Sequence, residues 1–177
     1  MVDESKRLVV DASIARSCGD ATATYPTSVR CRDFLLVLRD CKHKVVMTQE
    51  IRAEWDKHQS RFARQWLRGM ISRKQFIALP AVSIDQTLWE AIEAMADTDP
   101  QRAAMVKDIL LLEAALATDR SIVSLDEKTA RRFFTQAAQK IAKLREIVWV
   151  NPDRLEEEPI EWLKAGAPAD AERMLGF

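Results

Sequence analysis

Short apolar runs, separated by long stretches of helical periodicity, are the feature that most restricts the fold of this chain. Each run is bounded by polar residues, which is typical of strands buried on both faces of a parallel sheet. The runs are Leu8–Val10, Lys44–Met47, Ser121–Leu125 and Ile147–Val150. Their alternation with helices predicts an α/β fold, arranged as three α/β/α layers around a central parallel sheet.

The helical segments carry more detailed predictions. Thr48 is predicted to cap a helix whose apolar stripe consists of Ile51, Trp55, His58 and Phe62 and faces the core. The helical pattern continues to about residue 74, and it allows one helix to end and a second to begin within this stretch. Residues 75–83 are predicted as a connector, and residues 84–96 as a helix.

Length and composition suit one globular domain with a small appendage. The 177 residues are 47% hydrophobic and 31% charged, which is a globular rather than a disordered composition. We expect a domain over residues 1–152, followed by a C-terminal extension over residues 153–177 that packs on its surface. The boundary follows Asn151-Pro152, which is predicted to end the last strand.

Several classes of protein are disfavoured by composition and missing motifs. The formal net charge is +0, so no global basic field attracts nucleic acid, although a local patch can still bind it. Three cysteines argue against a disulfide framework and suit a reducing cytoplasm. We expect neither a signal peptide nor a membrane span. The four glycines form no Walker loop and no dinucleotide fingerprint.

Two aspartates follow predicted strands at points where helices begin. Asp11 follows the run that ends at Val10, and Asp126 follows the run that ends at Leu125. The carboxyl ends of parallel strands share one edge of the sheet, where ligands bind in open α/β folds. The two carboxylates can therefore meet if their strands are neighbours. The alternative for a strand-end aspartate is an ordinary helix cap.

A third aspartate is predicted to lie on the inward face of a helix. Asp108 is followed by Leu111, Leu112 and Ala115 at helical spacing. A buried carboxylate is costly unless a cation, hydrogen-bond donors or a metal ion compensates it. The alternatives to a metal ligand here are a buried salt bridge and a capping role.

A fourth acid completes a set with a definite chemistry. Either Glu50 or Glu54 can supply it, and periodicity does not choose between them or exclude an ordinary solvated glutamate. Carboxylates with almost no histidine or cysteine nearby suit Mg²⁺ or Mn²⁺ rather than Zn²⁺. Two such ions can activate water and stabilise the leaving oxygen of a phosphodiester. Ser13 and Ser124 can hydrogen-bond a carboxylate or a metal-bound water.

Four segments, in this order, resemble the PIN-domain ribonuclease family, whose bacterial members include VapC-like toxins. They are Val9-Val10-Asp11-Ala12-Ser13, Met47-Thr48 through Ala53-Glu54-Trp55, Asp108 through Ala115, and Ser124-Leu125-Asp126. The resemblance covers about residues 7–151 and implies a metal-dependent endoribonuclease with a sheet of four to five strands. It selects Glu54 over Glu50. It thus implies four catalytic metal ligands: Asp11, Glu54, Asp108 and Asp126.

The partners follow from the resemblance and from the positive charges. The resemblance implies an RNA substrate, an antitoxin-like protein partner and a homodimer. Two basic clusters can contact RNA phosphates, one on the helix that carries Glu54 and one after Asp126. They are Lys57, Arg61, Arg64 and Arg68, which form one helical face, and Lys128, Arg131 and Arg132. The alternative for both clusters is a solvated helix surface.

Two other functions are compatible with the same residues. A PIN-like scaffold can bind RNA or a protein without cutting, although the presence of all four acids speaks against lost catalysis. Phosphotransferases of the aspartyl-phosphate type also place an aspartate after the first strand. They usually carry a second acid two residues later, where this chain has Ser13.

Overall fold

The computed structural model describes residues 4–81 and 85–177. Its strands are β1 (Arg7–Val10), β2 (Lys44–Met47), β3 (Phe76–Ala78), β4 (Ser121–Val123) and β5 (Val148–Val150). All pair in parallel to form one five-stranded sheet with the order β3-β2-β1-β4-β5. Helices flank the sheet, so the predicted three-layer α/β/α fold is confirmed.

Eight α-helices lie within the described residues. They are α1 (Ala12–Ser17), α2 (Pro26–Asp40), α3 (Gln49–His58), α4 (Arg61–Ser72), α5 (Gln86–Met95), α6 (Asp99–Leu116), α7 (Arg132–Ala138) and α8 (Pro159–Lys164). A π-helical turn over Glu127–Arg131 leads directly into α7. The Thr48 hydroxyl caps α3 by accepting a hydrogen bond from the Ile51 amide, as predicted.

The centre of the sheet explains why the apolar runs lack polar alternation. Leu8, Val9 and Val10 of β1 are fully buried, because strands and helices surround them. Val9 pairs with Val46 on one side and with Ile122 on the other. The strands that precede Asp11 and Asp126 are therefore neighbours, as the convergence of these two acids requires.

The edge strand β3 corrects the prediction of a connector at residues 75–83. Phe76, Ile77 and Ala78 pair with β2, although none of the three is fully buried. Only one of its three residues, Ile77, is β-branched, so the run lacked the β-branched character of the other strands. The predicted start of the next helix at Ile84 lies outside the described residues. The observed helix α5 begins at Gln86, and Asp85 caps it by accepting from the Leu88 amide.

A break between α3 and α4 changes the predicted basic face. The chain is extended at Gln59 and Ser60, and the Ser60 hydroxyl caps α4 by accepting from the Ala63 amide. The Ser60 amide donates to the Ala15 carbonyl of α1 at 2.9 Å, which fixes this turn. The prediction of one basic helix face is therefore wrong. Lys57 lies on α3, whereas the cluster's arginines, Arg61, Arg64 and Arg68, lie on α4.

The C-terminal residues pack on the domain. Trp162 and Leu163 of α8 are buried, and α8 contacts α2. The imidazole of His43 joins the Lys6 amide at 3.1 Å to the Leu163 carbonyl at 2.9 Å. Met174 forms an antiparallel bridge with Val148 of β5. The boundary at residue 152 stays a prediction.

None of the described helices is both long enough and apolar enough to cross a bilayer.

Candidate active site

Asp11 is held at the end of β1 by a network of two serines. Its Oδ2 accepts hydrogen bonds from Ser13 Oγ at 2.6 Å and from Ser124 Oγ at 2.8 Å. The same hydroxyls accept from backbone amides, Leu125 to Ser13 at 3.2 Å and Asp126 to Ser124 at 3.1 Å. The serines therefore tie Asp11 to the loop after β4. Among the described residues, nothing donates a hydrogen bond to its other oxygen, Oδ1.

Asp126 lies beyond the end of β4 and also caps a helix. Its Oδ1 accepts from the amides of Thr129 at 3.0 Å and Ala130 at 3.1 Å, so the capping alternative holds for one of its oxygens. The prediction that the strand extends to Leu125 is wrong. The amides of Leu125 and Asp126 turn to the serine hydroxyls, which ends the ladder at Val123.

Asp108 is the least compensated acid of the site. It is partly buried on α6, and in the described part of the chain no hydrogen-bond donor or cation pairs with its carboxylate. Burial raises the pKa of Asp108 to about 7, and repulsion from the Asp11 and Asp126 carboxylates adds to this increase. Asp108 is thus close enough to Asp11 and to Asp126 to be repelled by both carboxylates. Such a set of hard oxygen donors fits a divalent cation such as Mg²⁺ or Mn²⁺.

Glu54 reaches the same region from α3. Its neighbour Trp55 is fully buried and donates an indole hydrogen bond to the Val10 carbonyl at 2.9 Å, which anchors α3 to the end of β1. The Glu54 carboxylate lies 3.4 Å from Lys57 Nζ and 3.5 Å from Lys107 Nζ. Burial tends to raise the pKa of Glu54, but these two ammonium groups lower it below its usual range.

Two adjoining cavities bring the predicted acids around one cleft. They have volumes of about 360 and 370 Å³, and both are lined by Asp11, Glu54 and Lys107. Asp108 lines the first cavity, and Asp126 lines the second. In the described ranges, no three carboxylate, imidazole or thiolate side chains lie close enough together, as they stand, to hold a metal ion. The acids surround the cleft with space between them.

Glu50 remains beside the site without a partner that fixes it. It is exposed, lines the first cavity one helical turn before Glu54, and forms no ion pair with any residue that the structure describes. Glu54 is less exposed and belongs to both cavities. The geometry therefore agrees with the choice of Glu54 that the family resemblance made.

Three basic side chains at the cleft were not predicted to lie there from the sequence. Lys107 lines both cavities, and Arg16 and His58 line the second. His58 was predicted to face the core, but its side chain is 41% exposed and its Nε2 lies 3.6 Å from Glu54. The four-residue spacing from Glu54 to His58 was the available signal. Nothing in the sequence joins Lys107 to an acid on another helix.

In the basic cluster after Asp126, the guanidinium of Arg131 is already paired with acidic side chains. This side chain is only 16% exposed and pairs with Glu127 at 2.7 Å and with Glu157. It joins the π-helical turn to the chain after β5, which is a structural role. Lys128 and Arg132 are exposed, so they remain the candidates for RNA contact in this cluster.

The arginines of α4 are exposed but lie away from the acids. Arg64 and Arg68 line a separate cavity together with Arg52 and Asp56. None of the α4 arginines forms a side-chain ion pair within the described ranges, and α4 contains no acidic residue. This surface carries uncompensated positive charge beside the helix that holds Glu54.

Comparisons of the chain with protein-family models, with curated proteins and with solved structures find no match. The functional interpretation therefore depends on the residues and geometry of the cleft.

Proposed function

We propose that this protein is a Mg²⁺- or Mn²⁺-dependent endoribonuclease of the PIN-domain type, which hydrolyses phosphodiester bonds of RNA. The observation that carries the proposal is the position of Asp108. It lines the cleft together with Asp11, and among the described residues none forms an ion pair or a hydrogen bond with its carboxylate, although the nearby Lys107 charge offsets part of the cost of burial. A metal site provides a reason for such an arrangement, because unpaired buried carboxylates are otherwise costly.

Each residue of the cleft has a role in this proposal. Bound divalent ions supply an activated water and stabilise the leaving oxygen. Asp11 presents its free oxygen to the cleft, because Ser13 and Ser124 fix the opposite one. Asp108, Asp126 and Glu54 provide further oxygen ligands from three other elements. Ligands held by outer hydrogen bonds bind metal in a defined geometry.

The cations around the acids provide a surface for the substrate. Arg16 and Lys107 line the cleft, and the exposed arginines of α4 lie on the helix after α3. Such side chains bind phosphates regardless of base sequence. An RNA substrate, an antitoxin-like partner and a homodimer belong to the same proposal through the family resemblance.

The proposed location is the cytoplasm. Cys18 and Cys31 are buried as free thiols, and burial raises the pKa of Cys31 to about 12. A buried thiol of this kind is unreactive and serves as a small apolar group. Free cysteines in the core suit a reducing compartment.

The experiment is cleavage of a mixed single-stranded RNA pool with added Mn²⁺ or Mg²⁺. Wild type is compared with Asp11→Asn, and EDTA is added in parallel. The matched control is Asp40→Asn, which removes an exposed carboxylate at the end of α2. Activity that is lost with EDTA and with Asp11→Asn but kept in the control supports the proposal. Mn²⁺ binding without cleavage favours a non-catalytic binding module, and the absence of both overturns the proposed function.

A further inference from the structure

We propose that the Lys107 ammonium pairs with the Glu54 carboxylate in the metal-free protein, and that a bound divalent ion displaces it from Glu54. The displaced ammonium then contacts a phosphate of the substrate. This inference rests on the proposed function, because it assigns a role to a residue of the same cleft.

Lys107 differs from the other basic side chains near Glu54 because it lies on a different helix. Lys57 and His58 lie on α3, the helix that carries Glu54 itself. Lys107 belongs to α6, next to Asp108, and its Nζ reaches across to Glu54 Oε2 at 3.5 Å. Among the described residues, it is the only cation from another element that pairs with Glu54. The pair therefore spans the cleft that a metal would enter.

The pair is suited to displacement. The Lys107 side chain is 65% exposed, and that of Glu54 is 28% exposed, so water screens their attraction and the pair is weak. A divalent ion carries twice the charge of the ammonium and is also attracted by Asp11, Asp108 and Asp126. The long flexible stem of lysine lets the ammonium leave Glu54 without movement of α6.

When the Lys107 ammonium leaves Glu54, it stays in the part of the cleft where a phosphate of the substrate is expected. Lys107 lines both cavities, so its ammonium remains beside the acids after it leaves Glu54. A phosphate of bound RNA offers it a charge-assisted hydrogen bond in place of the one it loses. The Lys107 ammonium thus balances the charge of Glu54 before the metal binds. After the metal binds, it balances the charge of a substrate phosphate.

The first test is Mn²⁺ titration by calorimetry with the full chain. Lys107→Met should bind Mn²⁺ about two- to fivefold more tightly than wild type, because the competing charge is gone. Lys107→Arg keeps the charge and should stay near wild type. The control Lys164→Met removes a lysine from the comparable exposed pair with Glu161 on α8 and should leave the affinity unchanged. An unchanged or weaker affinity of Lys107→Met overturns the inference.

The second test follows the ammonium directly. The rate at which Lys107 is acetylated, measured by mass spectrometry, should rise severalfold as Mn²⁺ saturates the protein, while that of Lys164 stays constant. With a single-stranded RNA oligonucleotide, Lys107→Met should raise KM about tenfold and change kcat little. If the acetylation rate of Lys107 does not change when Mn²⁺ binds, the inference is overturned, but the proposed function is not. If wild type binds no Mn²⁺, both the inference and the proposed function fail.

Discussion

The hydroxyl of Ser124 donates a 2.8 Å hydrogen bond to Oδ2 of Asp11, across 113 positions of the chain. The same hydroxyl accepts from the Asp126 amide, so it fixes two of the proposed ligands together. Ser124→Ala should lower the free energy of unfolding by about 1–2 kcal/mol, because the Asp126 amide loses its acceptor. It should also weaken Mn²⁺ binding about tenfold, because Asp11 loses one of the two hydrogen bonds that orient it.

Urea unfolding and Mn²⁺ calorimetry check this prediction. Ser121→Ala is the matched control, since Ser121 lies on β4, three residues before Ser124, and its hydroxyl makes only a 3.4 Å contact with the Asp119 carbonyl. Equal Mn²⁺ affinities in the two variants would contradict the assigned role of Ser124.

Asp108→Asn should stabilise the metal-free protein at about pH 8 by about 1–3 kcal/mol. The folded-state pKa of Asp108 is raised to about 7, above its ordinary value of 3.8. The folded state therefore holds this proton more tightly than the unfolded state, and stability falls as pH rises between these values. The gain from Asp108→Asn should shrink toward zero near about pH 4.

Urea unfolding in EDTA across this pH range measures the effect. Asp119→Asn provides a control of opposite sign, because Asp119 pairs with Arg7 at 2.7 Å and should lose stability when neutralised. A loss of stability in Asp108→Asn at about pH 8 would count against the uncompensated carboxylate. Metal-dependent cleavage by Asp108→Asn should be abolished.

Two substitutions of Asp126 separate its two roles. Asparagine caps helices as well as aspartate does, so Asp126→Asn should keep the cap on the Thr129 and Ala130 amides. Asp126→Ala should cost about 1 kcal/mol more in unfolding free energy. Both variants should lose Mn²⁺ affinity in calorimetry. If only the alanine variant loses affinity, Asp126 acts as a cap rather than as a ligand.

Trp55→Phe tests the anchor of α3. It removes the indole hydrogen bond to the Val10 carbonyl and should destabilise the protein by about 1–3 kcal/mol. It should also lower kcat, because Glu54 is no longer held against the end of β1. Trp162→Phe on α8 loses a similar hydrogen bond, at 2.9 Å to the Pro168 carbonyl. It should unfold as easily yet cleave normally under native conditions. Equal kcat values in the two variants would contradict the anchoring role.

The arginines of α4 should set the salt dependence of RNA binding. Replacing Arg64 and Arg68 by glutamine should reduce the slope of log affinity against log salt by about 0.7 for each RNA phosphate that the protein no longer neutralises. Arg131→Gln should instead destabilise the fold, because Glu127 and Glu157 lose their partner, and should leave the slope unchanged. Fluorescence anisotropy with single-stranded RNA at several salt concentrations measures these slopes.

The main elements of the fold were predictable from local sequence patterns. Leu8, Val9 and Val10 of β1 are fully buried with no polar residue between them, and Thr48 has the chemistry of a helix cap. Strand β3 was not predictable in the same way. Its three residues become a strand because β2 offers them a free edge, and such pairing depends on tertiary structure rather than on local propensity.

The candidate site shows the same division. Asp11 and Asp108 were found through their positions on predicted elements, since strand ends and helix faces are periodic features. The pairing of Lys107 with Glu54 joins α6 to α3, and no spacing along the chain encodes a contact between two helices. His58 was misplaced because its four-residue step from Glu54 fits both an apolar stripe and an ion pair.

The strand order has a consequence for how the protein is made. β1 is translated before the other four strands of the sheet, yet it lies between β2 and β4 in the finished sheet. Asp11 therefore meets Ser124 and Asp126 only after another 113 residues have been added up to Ser124. Contacts of such long sequence separation form late in folding. A nascent chain thus lacks the assembled cleft until β4 and the residues that follow it have left the ribosome.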